Sequence, residues 1–403
     1  MNHDAARRLL ALLRGEAFAP PADESGWRAL LRLADRCGVT GVVAHGLPAE
    51  AGAPVRVRDL LAEHARREGL HHGWHLLEAE RLVTALAGEG IPVALLKGLG
   101  LARNWWPNPL ARGFRDIDLL VPPGDVERAL GILAGLGYRP EAEGPLREVY
   151  RAHHFHLVLR GDDRPKVELH WALARPADPY RLDAATMLAD LRPLAGREVI
   201  PVPGPRAQLL HATVSELRCG FTELRRLLDA RHLLAGLAPG EIRDLAGLAR
   251  ELGLGPALGL LMLLAHRLLG APEPPPDVDA ALPAGTRKAL EAIGIDGFPL
   301  HLGRSDRQSV RHLVRWHLSI DRRRTTLDYL FHPPFEREKA RALGIPAWQR
   351  AYALVLRAAI LAGTTAWQAW RSAVGPDRHL TSLASPSSGP RGAGRAGTPA
   401  RAP

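Results

Sequence analysis

Arg115-Asp116-Ile117-Asp118-Leu119-Leu120-Val121 is the stretch on which the fold turns. It is short and mostly apolar, and Pro122-Pro123 closes it, so it reads as a β-strand. Side chains alternate along a strand, which puts Asp116 and Asp118 on one face and turns Ile117 and Leu119 into a core. Two carboxylates on one face repel each other, and the arrangement is costly unless a cation lies between them. Magnesium suits such an all-oxygen set and completes its shell with water and substrate phosphates.

The pattern extends in both directions. Downstream, Asp125 is placed to cap a helix with the stripe Val126, Ala129, Leu130, Leu133 and Leu136, which Gly137 closes. Residues 154–159 and 166–171 read as two strands of a hairpin around Gly161-Asp162-Asp163-Arg164. In the second of these, Lys166-Val167-Glu168-Leu169-His170-Trp171, Glu168 and His170 share a face. Laid beside the first strand, it adds Glu168 as a third carboxylate, and three can hold two ions about 3.5–4 Å apart. Glu168 is also a candidate base for an attacking hydroxyl. Upstream, residues 91–96 form a short apolar run ended by Lys97-Gly98, where the glycine lets a phosphate approach the backbone and the lysine offers a point charge. Arg112 and Arg115 precede the carboxylate strand and have the forked geometry that clamps triphosphate oxygens.

Around this segment the chain reads as helical. Apolar spacing predicts helices over 27–36 and 60–86, then over 209–217, 223–234 and 254–269, with a proline-rich joint at 271–277 and a further helix over 346–373. The expected organisation is an N-terminal helical region (1–87), an α/β core (88–200), a C-terminal helical region (201–374) and a disordered tail (375–403) rich in Ser, Gly, Pro, Ala and Arg.

Composition narrows the class. With 46% hydrophobic residues most of the 403-residue chain should fold, into more than one unit. Two cysteines, Cys37 and Cys219, exclude a disulfide framework, and neither a secretion signal nor a spanning helix is evident, so the expectation is a cytoplasmic protein. The net charge of +10 comes from arginines scattered among acids and favours a nucleic-acid partner only weakly. Lysine is scarce, at positions 97, 166, 288 and 339 alone, and two of the four fall in the α/β segment. His71 and His75 have a metal-binding spacing but no third ligand, and read as surface histidines. His153, His154 and His156 receive no metal. His170 reads as a partner orienting Glu168, and Trp105-Trp106 as packing beneath a loop rather than a stacking platform for a base.

Taken together, Lys97-Gly98, Arg112, Asp116-Ile117-Asp118-Leu119-Leu120-Val121, Gly137-Tyr138 and Glu168-Leu169-His170-Trp171 resemble the uncharacterised nucleotidyltransferase family of the DNA polymerase β-like superfamily. The superfamily's phosphate turn is Gly-Gly or Gly-Ser, whereas this chain has Lys97-Gly98. The resemblance implies an α-rich α+β protein whose small mixed-sheet polymerase β-like core is flanked by helices. It implies transfer of a nucleoside monophosphate from a nucleoside triphosphate, ATP first among them, with two Mg2+ held by Asp116, Asp118 and Glu168. Lys97, Gly98, Arg112, Arg115 and His170 are then the nucleotide contacts. Relatives of this kind are often encoded with peptide natural-product or polysaccharide pathways, which leaves a small molecule, a peptide or a saccharide as acceptor. Two other readings stay open: AMP transfer onto protein or tRNA, and a non-catalytic nucleotide-binding scaffold.

Overall fold

The computed structural model describes residues 3–276, apart from Pro179, Gly220 and Thr222, together with six residues of the short segment 338–344. The helix expected over 346–373 and the tail from 375 lie outside the described residues. Twelve helices and seven strands follow one another in the described part. Four helices come first: α1 (His3–Arg14), α2 (Glu24–Arg36), α3 (Thr40–Gly46) and α4 (Val55–Gly88). The mixed α/β segment holds β1 (Ala94–Leu96), α5 (Lys97–Trp105), β2 (Asp116–Leu120), α6 (Val126–Gly135), β3 (Arg139–Pro140), α7 (Gly144–His153), β4 (His156–Arg160) and β5 (Lys166–His170). After α8 (Ala184–Leu188), a hairpin of β6 (Leu191–Leu194) and β7 (Arg197–Pro203) leads to α9 (Pro205–Cys219), α10 (Leu224–Ala235), α11 (Pro239–Glu251) and α12 (Gly255–Leu269).

Local chemistry sets several boundaries. Asp23 caps α2 by accepting the Gly26 amide at 2.8 Å. Gly90 and Gly137 follow α4 and α6 with φ of 72° and 89°, a left-handed conformation that a β-carbon disfavours. Asp125 does precede α6, but its side chain makes no capping hydrogen bond; it accepts from Arg128 at 2.8 Å instead. The β6–β7 hairpin has no counterpart among the expected strands, because Pro193, Pro201 and Pro203 mask its alternation.

The main sheet has the order β1-β2-β5-β4-β3, with β2 and β5 parallel and the other neighbours antiparallel. A parallel pair needs a long crossover, and here α6, β3, α7 and β4 supply it. One face of the sheet is apolar: Ile117, Leu119, Leu157, Leu159, Val167 and Leu169 pack with Leu82, Val83 and Leu86 of α4 and with Val126, Ala129 and Leu133 of α6. A second core joins α1–α3 to α9–α12, so helices from the two ends of the described chain share one interior. At its centre α12 is buried nearly all round, as its unbroken apolar sequence requires. At roughly 50 Å long, α4 serves both cores, giving Val57 and Leu61 to one and Leu76 through Leu86 to the other.

Candidate active site

The sheet's other face carries the polar cluster. Register places Asp118 beside Glu168, and Asp116 beside Lys166. Two strands further, His156 lies opposite His170. On the remaining side Leu96, the last residue of β1, pairs with Asp118, so the next residue, Lys97, arrives directly over that carboxylate.

The contacts are short. Lys97 Nζ lies 2.7 Å from Asp118 Oδ1 and 3.9 Å from Glu168 Oε2. Lys166 Nζ bridges Asp116 Oδ2 at 2.8 Å and Glu168 Oε1 at 2.9 Å. His170 Nε2 is 3.0 Å from Asp118 Oδ1 and 3.5 Å from Glu168 Oε2. His156 Nε2 stands 4.0 Å from Glu168 Oε2. Asp118 and His170 are buried, whereas Asp116, Lys97 and Lys166 reach solvent in part.

Electrostatics follows from that layout. Burial raises the Asp116 carboxyl above its ordinary range, and the charge on Asp118 raises it further, against the opposing pull of Lys166. Burial also works against the Glu168 carboxylate, but the hydrogen bond from His170 and the charge of Lys97 outweigh it and hold the group far below the usual range. Lys166 is raised: burial disfavours its charge, and the bonds to Asp116 and Glu168 overcome that cost. Burial, followed by the neighbouring His170, depresses His156, which is therefore a neutral imidazole at pH 7. Two ammonium groups facing three carboxylates leave a net negative charge among hard oxygen donors. That donor set fits a divalent cation such as magnesium.

The turn after β1 is strained. Lys97 has φ of 39°, unusual for a residue with a β-carbon, and Gly98 adopts φ 22° and ψ −110°. A β-carbon on Gly98 would sit 3.4 Å from Phe114 Cβ. Arg112 fixes this turn by donating from Nη1 to the Gly98 carbonyl at 3.1 Å. The rest of its guanidinium is engaged elsewhere: Nε and Nη2 donate to the two carboxylate oxygens of Asp229 at 2.7 and 2.8 Å, and Trp106 Nε1 donates to the same carboxylate at 2.7 Å. All three residues are buried. The arginine expected to clamp phosphate is thus a buried tie between the Lys97-Gly98 turn and α10, and Trp106 is packing, not a platform. Arg115 is exposed at the start of β2 and forms no ion pair among the described residues.

Of the eight residues singled out from sequence, Asp116, Asp118, Glu168, Lys97 and His170 converge. Gly98 shapes the adjoining turn, Arg115 lies at the rim, and Arg112 points into the protein. Two members of the cluster were not singled out. Lys166 carried a legible signal, being a rare lysine on the same strand face as Glu168. His156 did not, because only the hairpin register brings it to His170. His71 and His75 are not both surface groups: His75 is buried, and with His72 it packs on Phe114.

The comparisons agree with this chemistry at the level of class. The profile of a family described as "uncharacterised nucleotidyltransferase" matches residues 23–270, well over half of the chain. The protein belongs to that family and is a nucleotidyltransferase enzyme. No curated protein matches the chain. Among solved structures, the antibiotic-resistance factor ANT(2'')-Ia is similar over 44% of this chain and 91% of its own, with 15% identity and a TM-score of 0.32, too slight a likeness to bear on fold or substrate. Among the described residues no helix is long and apolar enough to cross a membrane.

Proposed function

We propose that the sheet's polar face is a polymerase β-like catalytic centre that moves a nucleoside monophosphate from a nucleoside triphosphate to an acceptor hydroxyl or phosphate, releasing pyrophosphate. The observation that carries this reading is the register pairing of Asp118 with Glu168, which sets three carboxylates on one face around two lysines. Asp116, Asp118 and Glu168 are the residues that would hold magnesium. Bound there, the metal supplies charge neutralisation of the triphosphate and activation of the attacking oxygen.

The remaining roles belong to the chain itself. Lys97, on its strained turn above Asp118, contacts the phosphates as a point charge, beside backbone amides at the start of α5. Arg115, exposed at the strand entrance, is free to meet the triphosphate. Arg112 keeps Gly98 in its conformation rather than touching nucleotide. His170 orients Asp118 through Nε2. Glu168, held ionised, serves better as a ligand than as a base, since a general base works best with a pKa near the working pH. ATP is the first candidate donor. The acceptor is a small molecule, a peptide or a saccharide. The two cysteines, both buried and neither in a disulfide, fit a reducing cytoplasm.

The test supplies the protein with magnesium, host-cell extract and ATP labelled at the α- or the γ-phosphate, beside Asp118→Asn. Retention of α label only, lost in the variant, supports the proposal and marks the acceptor. Retention of γ label means phosphoryl transfer and overturns it.

A further inference from the structure

The same face sets two imidazoles beside Glu168. His156, Glu168 and His170 each offer one ligand atom, and the three atoms lie within 4.8 Å of one another. The separations match a coordination shell. With metal–ligand bonds of about 2.0–2.2 Å, neighbouring ligands in a tetrahedral site stand about 3.4 Å apart. Here His170 Nε2 to Glu168 Oε2 is 3.5 Å, and His156 Nε2 to the same oxygen is 4.0 Å. One carboxylate oxygen therefore faces two imidazole nitrogens at ligand-to-ligand distances.

His156 has no other polar use for its ring. Neither nitrogen forms a hydrogen bond among the described residues, and Nδ1 is buried without a partner. Its ring contacts are with His154, Phe155 and His170, at centroid distances of 4.6, 4.7 and 4.8 Å. An apolar side chain would pack there without leaving buried nitrogens unsatisfied, which costs about 1–3 kcal/mol per group. His170 has Nδ1 buried without a partner as well. Imidazole favours zinc, cobalt and nickel, whereas the carboxylates Asp116 and Asp118 favour magnesium or manganese.

We propose that His156, Glu168 and His170 form a nitrogen-bearing subsite for one divalent transition ion, beside the all-oxygen position between Asp116 and Asp118. The inference rests on reading Glu168 as a metal ligand. On binding, His170 exchanges its hydrogen bond to Asp118 for the ion. The enzyme would then hold two unlike ions, one on imidazole and carboxylate and one on carboxylates alone.

The experiment uses metal-free full-length protein titrated with Co2+ alone, followed by visible absorption and by calorimetry. The expected result is one equivalent bound with the intense d–d bands of a four- or five-coordinate ion. His156→Gln should abolish those bands and weaken binding at least tenfold. Glu168→Gln should do the same, which keeps the test decisive if one variant folds poorly by circular dichroism. Asp116→Asn should leave the bands in place, since Asp116 is not in this triad. Weak octahedral absorption in the wild type, or affinity within twofold between wild type and both variants, would overturn the subsite. Transfer activity is scored separately with labelled nucleotide, so the bands can persist in a protein that proves not to transfer, and transfer can persist in one that shows no bands.

Discussion

Removing the carboxylate of Asp229 should cost a large part of the protein's stability. Its two oxygens accept three donors, Arg112 Nε, Arg112 Nη2 and Trp106 Nε1, all at 2.7–2.8 Å. Arg112 and Asp229 are only 5% and 2% exposed, so water cannot replace the lost partner. Asp229→Ala leaves a buried guanidinium charge and an indole N–H unpaired, a loss of about 3–5 kcal/mol. Against a total stability on the order of 5–15 kcal/mol, that is a large fraction. At roughly 2–4 °C per kcal/mol for a fold of this size, Tm should fall by about 10 °C. Replacing both partners with apolar residues, Arg112→Met with Asp229→Leu, removes the buried charges together. The double variant should recover at least about 2 kcal/mol relative to the sum of the single changes. Urea and thermal unfolding, both followed by circular dichroism, measure all four corners of the cycle. A Tm for Asp229→Ala within 2 °C of wild type, or strictly additive losses, would refute the assignment of Arg112 as a buried structural tie.

Two further outcomes follow from the same geometry. Burial depresses His72 and His75 to about 4 each, whereas the unfolded chain takes up these protons near 6.5. The unfolded state therefore binds more protons between those values, and stability present above pH 6.5 is lost as pH falls toward 4, by at most about 3 kcal/mol per histidine. The urea midpoint should drop between pH 7.5 and pH 4.5, and His75→Gln should flatten the slope; an unchanged midpoint would contradict the burial argument. At the strained turn, Gly98→Ala places a β-carbon against Phe114 at φ 22° and should cost about 1–3 kcal/mol. Its effect on catalysis should be a raised KM for nucleotide, and unchanged kinetics would remove Gly98 from the nucleotide site.

Much of the carboxylate cluster was legible because a strand's alternation is a purely local property. Asp116 and Asp118 share a face whatever lies around them, and so do Lys166, Glu168 and His170. The apolar stripes of α2, α4, α9, α10 and α12 were legible for the same reason, each being a repeat within one element. Sequence alternation also foretold the β4–β5 hairpin, because its two runs flank a short polar turn.

What sequence left open depends on which elements meet. Lys97 and Arg112 look alike as cations near a glycine turn, yet one lands on Asp118 and the other on Asp229, 117 positions further along. No local pattern encodes that choice; the packing of α10 against α5 decides it. The parallel pairing of β2 with β5 is likewise a matter of topology, and it is this pairing that turns two separate acidic strands into one cluster. His156 gains its place by hairpin register, and His75 is buried because α4 crosses the 112–115 loop. Which side chains share a face is written locally in the chain, since period two and period 3.6 are fixed by backbone geometry. Which faces come together is settled in the folded molecule, because those contacts join residues far apart in the chain, and their free energy exists only once the intervening elements have packed.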